Sequence, residues 1–157
     1  MKQSNLKMIT YVITISNIFP TTHKRKGEPT AFYSLILRKL KKHTIRGNYD
    51  LWKKRFDKIN KGEACLSVRH WNGKPYNSTQ SELLRLTKED GIGIEKLDIN
   101  LSPDTEFHFA FVERYYLDLK LLANNDGLEY EDFKNWFKGY DFSKPMAIIH
   151  FTNFRYN

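Results

Sequence analysis

Apolar and polar residues change rhythm several times along the chain, and each rhythm predicts an element. Ile9, Tyr11, Ile13 and Ile15 alternate with Thr10, Val12 and Thr14. All are β-branched or aromatic, so a strand is predicted there. From Phe19 to Pro29 the chain turns polar and basic, with His23, Lys24, Arg25, Lys26 and Gly27 in succession. A mobile loop is expected over this stretch. Phe32, Leu35, Ile36 and Leu40 then recur at helical spacing, with Thr30 placed to cap the start. A second helix is predicted from Tyr49 to Ile59, with Trp52, Phe56 and Ile59 on one face and Lys53, Lys54 and Lys58 on the other.

Glu63 to Trp71 reads as a strand. Asn72-Gly73 is a pair favoured in two-residue hairpin turns, so the chain is expected to return from Lys74. Ser81 to Thr87 alternates again and predicts a strand, and Asp90 to Gly93 a turn. Ile94 to Glu113 is read as two short strands around Ser102-Pro103-Asp104. Tyr115 to Ala123 is expected to be helical until Asn124-Asn125-Asp126-Gly127 breaks it. A further helix is predicted from Glu129 to Lys138, with Phe133, Trp136 and Phe137 on one face. These rings, with Trp52 and Phe56, are assigned to the core. Met146 to Phe154 is the last predicted strand. Short strands and helices without a βαβ rhythm predict an α+β fold. The 157 residues fit a single domain over 1–157, long enough to bury a core.

Composition excludes several classes. Hydrophobic residues are 40% and charged residues 28%, which rules out wholesale disorder. One cysteine rules out a disulfide scaffold and a Cys-based zinc site. The five histidines lie far apart, and no Gly-rich phosphate loop, H-E-x-x-H or G-x-S-x-G occurs. No metal and no cofactor are expected. Charge is uneven: residues 1–62 hold 15 Lys and Arg against 3 Asp and Glu, a net of +12, whereas residues 63–157 hold 11 against 15, a net of −4. Two readings stay open: an anionic partner such as RNA or a nucleotide, or a plain solvated basic surface. Lys2 and Lys7 precede the apolar run Met8 to Ile15, which resembles a short signal peptide, but no small-residue cleavage site follows. No segment approaches the roughly 20 apolar residues of a membrane span. A cytoplasmic, monomeric protein without a membrane partner is expected, with residues 1–7 an extension if Met8 is the true start.

The most chemically loaded segment is Lys41-Lys42-His43-Thr44-Ile45-Arg46-Gly47. In an extended chain its basic and hydroxyl side chains can share a face and hold a phosphate or polarise a carbonyl, Arg with two parallel bonds and Lys as a point charge. A Thr beside a partly neutral Lys can act as a nucleophile. The alternative is a basic helix terminus leading into an ordinary strand. Trp71 and Tyr76, with Arg69 and Lys74 nearby, can stack on a base and touch phosphate, or simply pack on each other across the hairpin. The 20–29 loop is a candidate for sequence-independent phosphate contact.

Lys41, Thr44 and Arg46 match the K-x-x-T-x-R core of the ASCH domain, of the PUA-like superfamily. Lys61-Gly62-Glu63-Ala64-Cys65-Leu66-Ser67 resembles the family's lysine-glycine-acidic entry to the next strand. Asn124 to Leu128, Tyr130 to Lys134 and Met146 to Phe151 resemble its closing block: an acidic turn, a helix and a terminal strand. The resemblance spans most of residues 30–154. It implies a small mixed β-barrel flanked by helices, with a cleft that binds RNA, a nucleotide or a nucleoside. Arg46 of the motif would stabilise negative charge or anchor a phosphate; beside the resemblance, Lys42, Arg69, Trp71, Lys74 and Tyr76 are the further candidates for substrate or RNA contact. The bacterial acetylcytidine amidohydrolases form one branch of the family. Similarity to them implies an alternative activity, deacylation of a modified cytidine, with Thr44 as nucleophile, Lys41 as base and Asp126 as acid or orienting group. The chain departs from the family at two points: Asp126 stands for Glu, and Lys39 for Gly. A third reading is an accessory factor whose basic face meets an acidic protein.

Overall fold

The computed structural model describes residues 7–157, so the expected extension lies, apart from Lys7, outside the described residues. The elements run β1 (Ile9–Thr14), α1 (Phe32–Leu37), β2 (His43–Arg46), α2 (Tyr49–Asn60), β3 (Ala64–Trp71), β4 (Gln80–Leu86), β5 (Gly93–Asn100), β6 (Phe109–Val112), β7 (Tyr115–Leu117), α3 (Leu119–Asn125), α4 (Tyr130–Trp136) and β8 (Met146–His150). The fold is α+β with two sheets. The smaller has the order β1-β3-β4, with β1 parallel to β3 and β4 antiparallel to it. The larger has the order β2-β8-β5-β6-β7 and is antiparallel throughout. Among the described residues the ladders leave these as two separate sheets and do not close a barrel.

Burial follows the patterning. β8 is buried at all five positions, as expected of an apolar strand flanked on both sides. Trp52, Phe56 and Ile59 of α2 are buried, each burial contributing roughly 2 kcal/mol by the area rule. α2 packs on β3 of the small sheet and on β5 and β8 of the large one. One core therefore joins both sheets, from Ile13, Leu66 and Val68 to Leu97, Ile148 and Ile149, and takes in Leu122 and Phe133 of α3 and α4. No helix among the described residues is long and apolar enough to cross a membrane.

Five expectations are corrected. The Asn72-Gly73 pair does not make a two-residue turn. Asn72 N donates to Thr79 O instead, closing a loop before β4 begins at Gln80. Pro75 has no N–H to give to a returning ladder, and Ser78 Oγ, which accepts from Gly73 N and donates to Lys74 O, ties the loop to itself. The two-residue hairpin lies at Glu113-Arg114, both at positive φ, and makes Tyr115–Leu117 a strand where a helix was expected. Asp118 then caps the helix by accepting from Lys120 N. α1 is capped by Ala31 in left-handed conformation; Thr30 Oγ1 accepts from Phe32 N at 3.3 Å but lies one residue early. Leu40 falls beyond the helix and is exposed.

The fifth correction concerns the basic loop, which is tied down. His23 is buried and hydrogen-bonded to Asp132 O at 3.0 Å, Arg25 pairs with Asp132 at 2.6 Å, and Lys24 N donates to Asn135 Oδ1. The loop is anchored to α4 by its own polar groups.

Candidate functional site

The segment before β2 is clamped from three sides. Leu40 N and Lys41 N both donate to Leu35 O at the end of α1. Lys42 N donates to Asn125 O at the end of α3, and Phe151 N to Lys42 O past β8. Lys39 enters this clamp at φ 58°, the left-handed conformation that glycine adopts freely. Gly127 serves the same purpose opposite. Its φ is +83°, and an added Cβ would stand 3.1 Å from Lys41 Cβ, so only glycine lets α3 end this close to Lys41.

These constraints carry Lys41 inside, at 2% exposure. Its Nζ donates to the Asp126 backbone oxygen at 2.6 Å and to Asp126 Oδ1 at 3.2 Å, and stands 4.1 Å over the Phe32 ring. Asp126 Oδ1 also meets His43 Nδ1 at 3.2 Å, while His43 Nε2 lies 2.6 Å from the Tyr156 hydroxyl. Asn125 Nδ2 donates to that hydroxyl at 3.1 Å. The network assigns the tautomer. A carboxylate only accepts, so His43 carries its proton on Nδ1, and Nε2 accepts from Tyr156. A parallel pair lies beside it: His150 Nε2 donates to Glu95 Oε1 at 2.8 Å, leaving Nδ1 bare in the interior. The two imidazoles meet edge-on at 5.4 Å.

Burial sets the protonation of this network. It pushes Lys41 and His43 below their ordinary values despite Asp126. It pushes His150 down to about 4 despite Glu95. Burial pulls Asp126 upward, but Lys41 and His43 outweigh it and the carboxyl ends below its ordinary value. Glu95 is likewise drawn up by burial and brought below its ordinary value by His150 and the Tyr156 and Asn157 amides. The interior thus holds an ion pair between Lys41 and Asp126 and two neutral imidazoles.

Thr44 and Arg46, two apart on β2, share a face. Arg46 donates to Thr44 Oγ1 at 2.8 Å, to Ile45 O at 3.0 Å and to Thr14 O at 2.7 Å. It makes no carboxylate contact among the described residues. Burial lowers its affinity for protons, opposed by the more distant Asp126. Lys41, Thr44, Arg46 and Asp126 line one cavity of about 280 Å³ with Thr14 and Ser16. Its apolar wall is Phe32, Trp136, Phe137 and Tyr140. Two cations and one anion around a partly aromatic cavity suit a flat ligand that carries negative charge or carbonyl oxygens.

The cavity brings together four of the expected site residues and leaves five outside. Lys42 directs its ammonium to the Phe154 ring at 4.6 Å. Arg69 donates to Ser67 Oγ. Trp71 and Tyr76 pack on each other at 5.1 Å across the 72–79 loop, where Tyr76 is 88% exposed and Lys74 is exposed as well. Sequence reasoning missed His43, Asn125, Glu95, His150 and Tyr156. The available signal was two histidines set within apolar strands. Trp136 and Phe137, whose helical spacing predicts core positions, also wall the cavity. No cluster of three or more His, Cys, Asp or Glu among the described residues is placed to hold a metal ion. No family model matches the chain, and no curated protein or solved structure matches it either.

Proposed function

We propose that the chain is an ASCH-type, PUA-like domain, its two sheets forming an opened barrel, that binds RNA through a single nucleotide held in the Lys41–Thr44–Arg46–Asp126 cavity. The observation that carries this reading is Arg46. A half-buried guanidinium whose hydrogen-bond partners among the described residues are all neutral sits over a cavity walled by aromatic rings. A cation in such a place is costly unless a ligand completes it, and a phosphate or base carbonyl fits its fork. The rings of Trp136 and Phe137 supply a surface for a base. Lys39 supports the family reading as well, because it keeps the left-handed turn where the family has glycine. Asp126 reaches Lys41 in spite of its shorter side chain.

The test is titration with ribonucleoside monophosphates at low salt. Binding that Arg46→Lys weakens at least tenfold supports the reading, and absence of saturable binding defeats it.

A second reading, deacylation of an acylated cytidine, rests on Thr44. Its oxygen accepts from Arg46, which stabilises a developing alkoxide and leaves the hydroxyl proton free to move. Lys41, the base in that scheme, is held by Asp126 and would have to release a proton first, which its burial favours. Incubation with acetylcytidine decides: cytidine formation lost in both Thr44→Ala and Lys41→Met establishes hydrolysis, and no turnover leaves binding alone.

A further inference from the structure

The helix that walls the cavity has a second side. Trp136 and Phe137 face the cavity, whereas Lys134 and Lys138 line a separate surface groove of about 340 Å³ together with Lys24, His108 and Asn135. Glu131 is the one carboxylate among the described residues that lines that groove, and Lys134 holds it at 3.0 Å. Lys24 stands 3.9 Å from Asp132, which is already bound by Arg25 at 2.6 Å. Lys138 makes no ion pair among the described residues. Three lysines thus line the groove against one glutamate.

The groove and the cavity lie on two sides of α4, with Asn135 lining the groove and the adjacent Trp136 the cavity. The loop bearing Lys24 is fixed there by the Lys24 N to Asn135 Oδ1 hydrogen bond at 2.7 Å. Its Phe19 and His23 rings pack on Trp136 at 5.8 and 6.1 Å. Trp136 therefore links the two: it lines a cavity fit for a base and packs on the loop whose Lys24 lines a groove fit for phosphates. Lysines hold phosphates as point charges without regard to sequence. A base can enter a side cavity only when it is unpaired and splayed from its neighbours.

Resting on the nucleotide reading, we infer that the Lys24–Lys134–Lys138 groove is the backbone track of a single-stranded RNA, one nucleotide of which turns over Trp136 into the cavity. The ligand is then a strand, and a free nucleotide is only its fragment.

The test compares a labelled single-stranded oligoribonucleotide of about ten nucleotides, by fluorescence anisotropy across a salt series, with cytidine monophosphate by calorimetry. Both are applied to the wild type and to the triple variant Lys24→Gln, Lys134→Gln, Lys138→Gln. The expected result is a loss of at least tenfold in oligonucleotide affinity and a salt slope shallower by about 2, from three phosphate contacts at roughly 0.7 each. Binding of the monophosphate is unchanged. If the monophosphate binds but the oligonucleotide binds no tighter, or if the triple variant keeps the affinity and slope of the wild type, the track is wrong while the cavity stands. Tighter binding of duplex RNA or of polyglutamate than of the single strand also overturns it. If neither probe binds the wild type, the cavity reading falls as well.

Discussion

Asp126 is the residue on which the interior charges converge. It accepts from Lys41 and His43 at once. Removing its charge strands the buried Lys41 ammonium, so Asp126→Ala is expected to cost about 3–5 kcal/mol, measured by urea unfolding; a loss below 1 kcal/mol would mean that the pair is solvated. The imidazoles add a pH dependence. An unfolded histidine binds its proton near pH ~6.5, whereas His150 in the native protein refuses it until about 4. Between those values the unfolded state holds more protons, so stability falls as the pH falls, by roughly 3 kcal/mol over the whole window. The depressed His43 has the same sign. Asp126 and Glu95, also depressed, give stability that is present above the unfolded carboxyl range and is lost as pH drops through their native values. Unfolding at pH 7.5 and pH 5 is expected to show a clear loss at pH 5, reduced in His150→Gln; equal stability at the two pH values would contradict neutral buried imidazoles.

The ends of elements bring the site together, and two positions there are sensitive. Gly127 closes α3 in left-handed conformation against the Lys41 chain. Gly127→Ala is expected to lower stability by about 1–3 kcal/mol and to displace Lys41, read as a lower Tm. Lys39→Gly works in the opposite direction, because it removes a side chain from a left-handed residue. A gain of about 1 kcal/mol is expected, and a fall in Tm would show that the lysine side chain supplies something else. Much at this scale was legible in the sequence. The periodicity of Trp52, Phe56 and Ile59 located α2, and the apolar run Met146–Ile149 located β8, because one-sided and fully buried elements leave plain patterns. Tyr115–Leu117 was not legible. Its strand depends on a turn at Glu113-Arg114, two residues that carry none of the usual preference for positive φ. The 72–79 loop misled for the converse reason: a favoured turn pair was overruled by Pro75 and by side-chain bonds from Ser78.

For the whole molecule, the charge asymmetry divides into parts with different surroundings. Lys53 and Lys58 on α2 stand in exposed pairs with Asp57 and Glu63, worth little to stability. Lys41 and Arg46 lie at the cavity, and Lys24 in the groove behind it. Lys41, Thr44 and Arg46 were visible in the sequence as a spacing. Asp126 is 85 residues beyond Lys41 and comes from the acidic part of the chain, so only a resemblance to a known pattern could link it. The His43–Tyr156 contact spans 113 residues and leaves no local signal at all.

The three tryptophans provide the most direct test of the cavity, since each reports a different place. Trp136 walls the cavity, Trp52 lies in the core and Trp71 packs on Tyr76 at the 72–79 loop. Indole N–H signals followed by NMR during titration with ribonucleoside monophosphates read all three at once. Binding in the cavity is expected to shift the Trp136 signal saturably, to leave Trp52 and Trp71 in place, and to disappear in Arg46→Lys. A shift of Trp71 with Trp136 unmoved, or no saturable shift at any of the three, would contradict it.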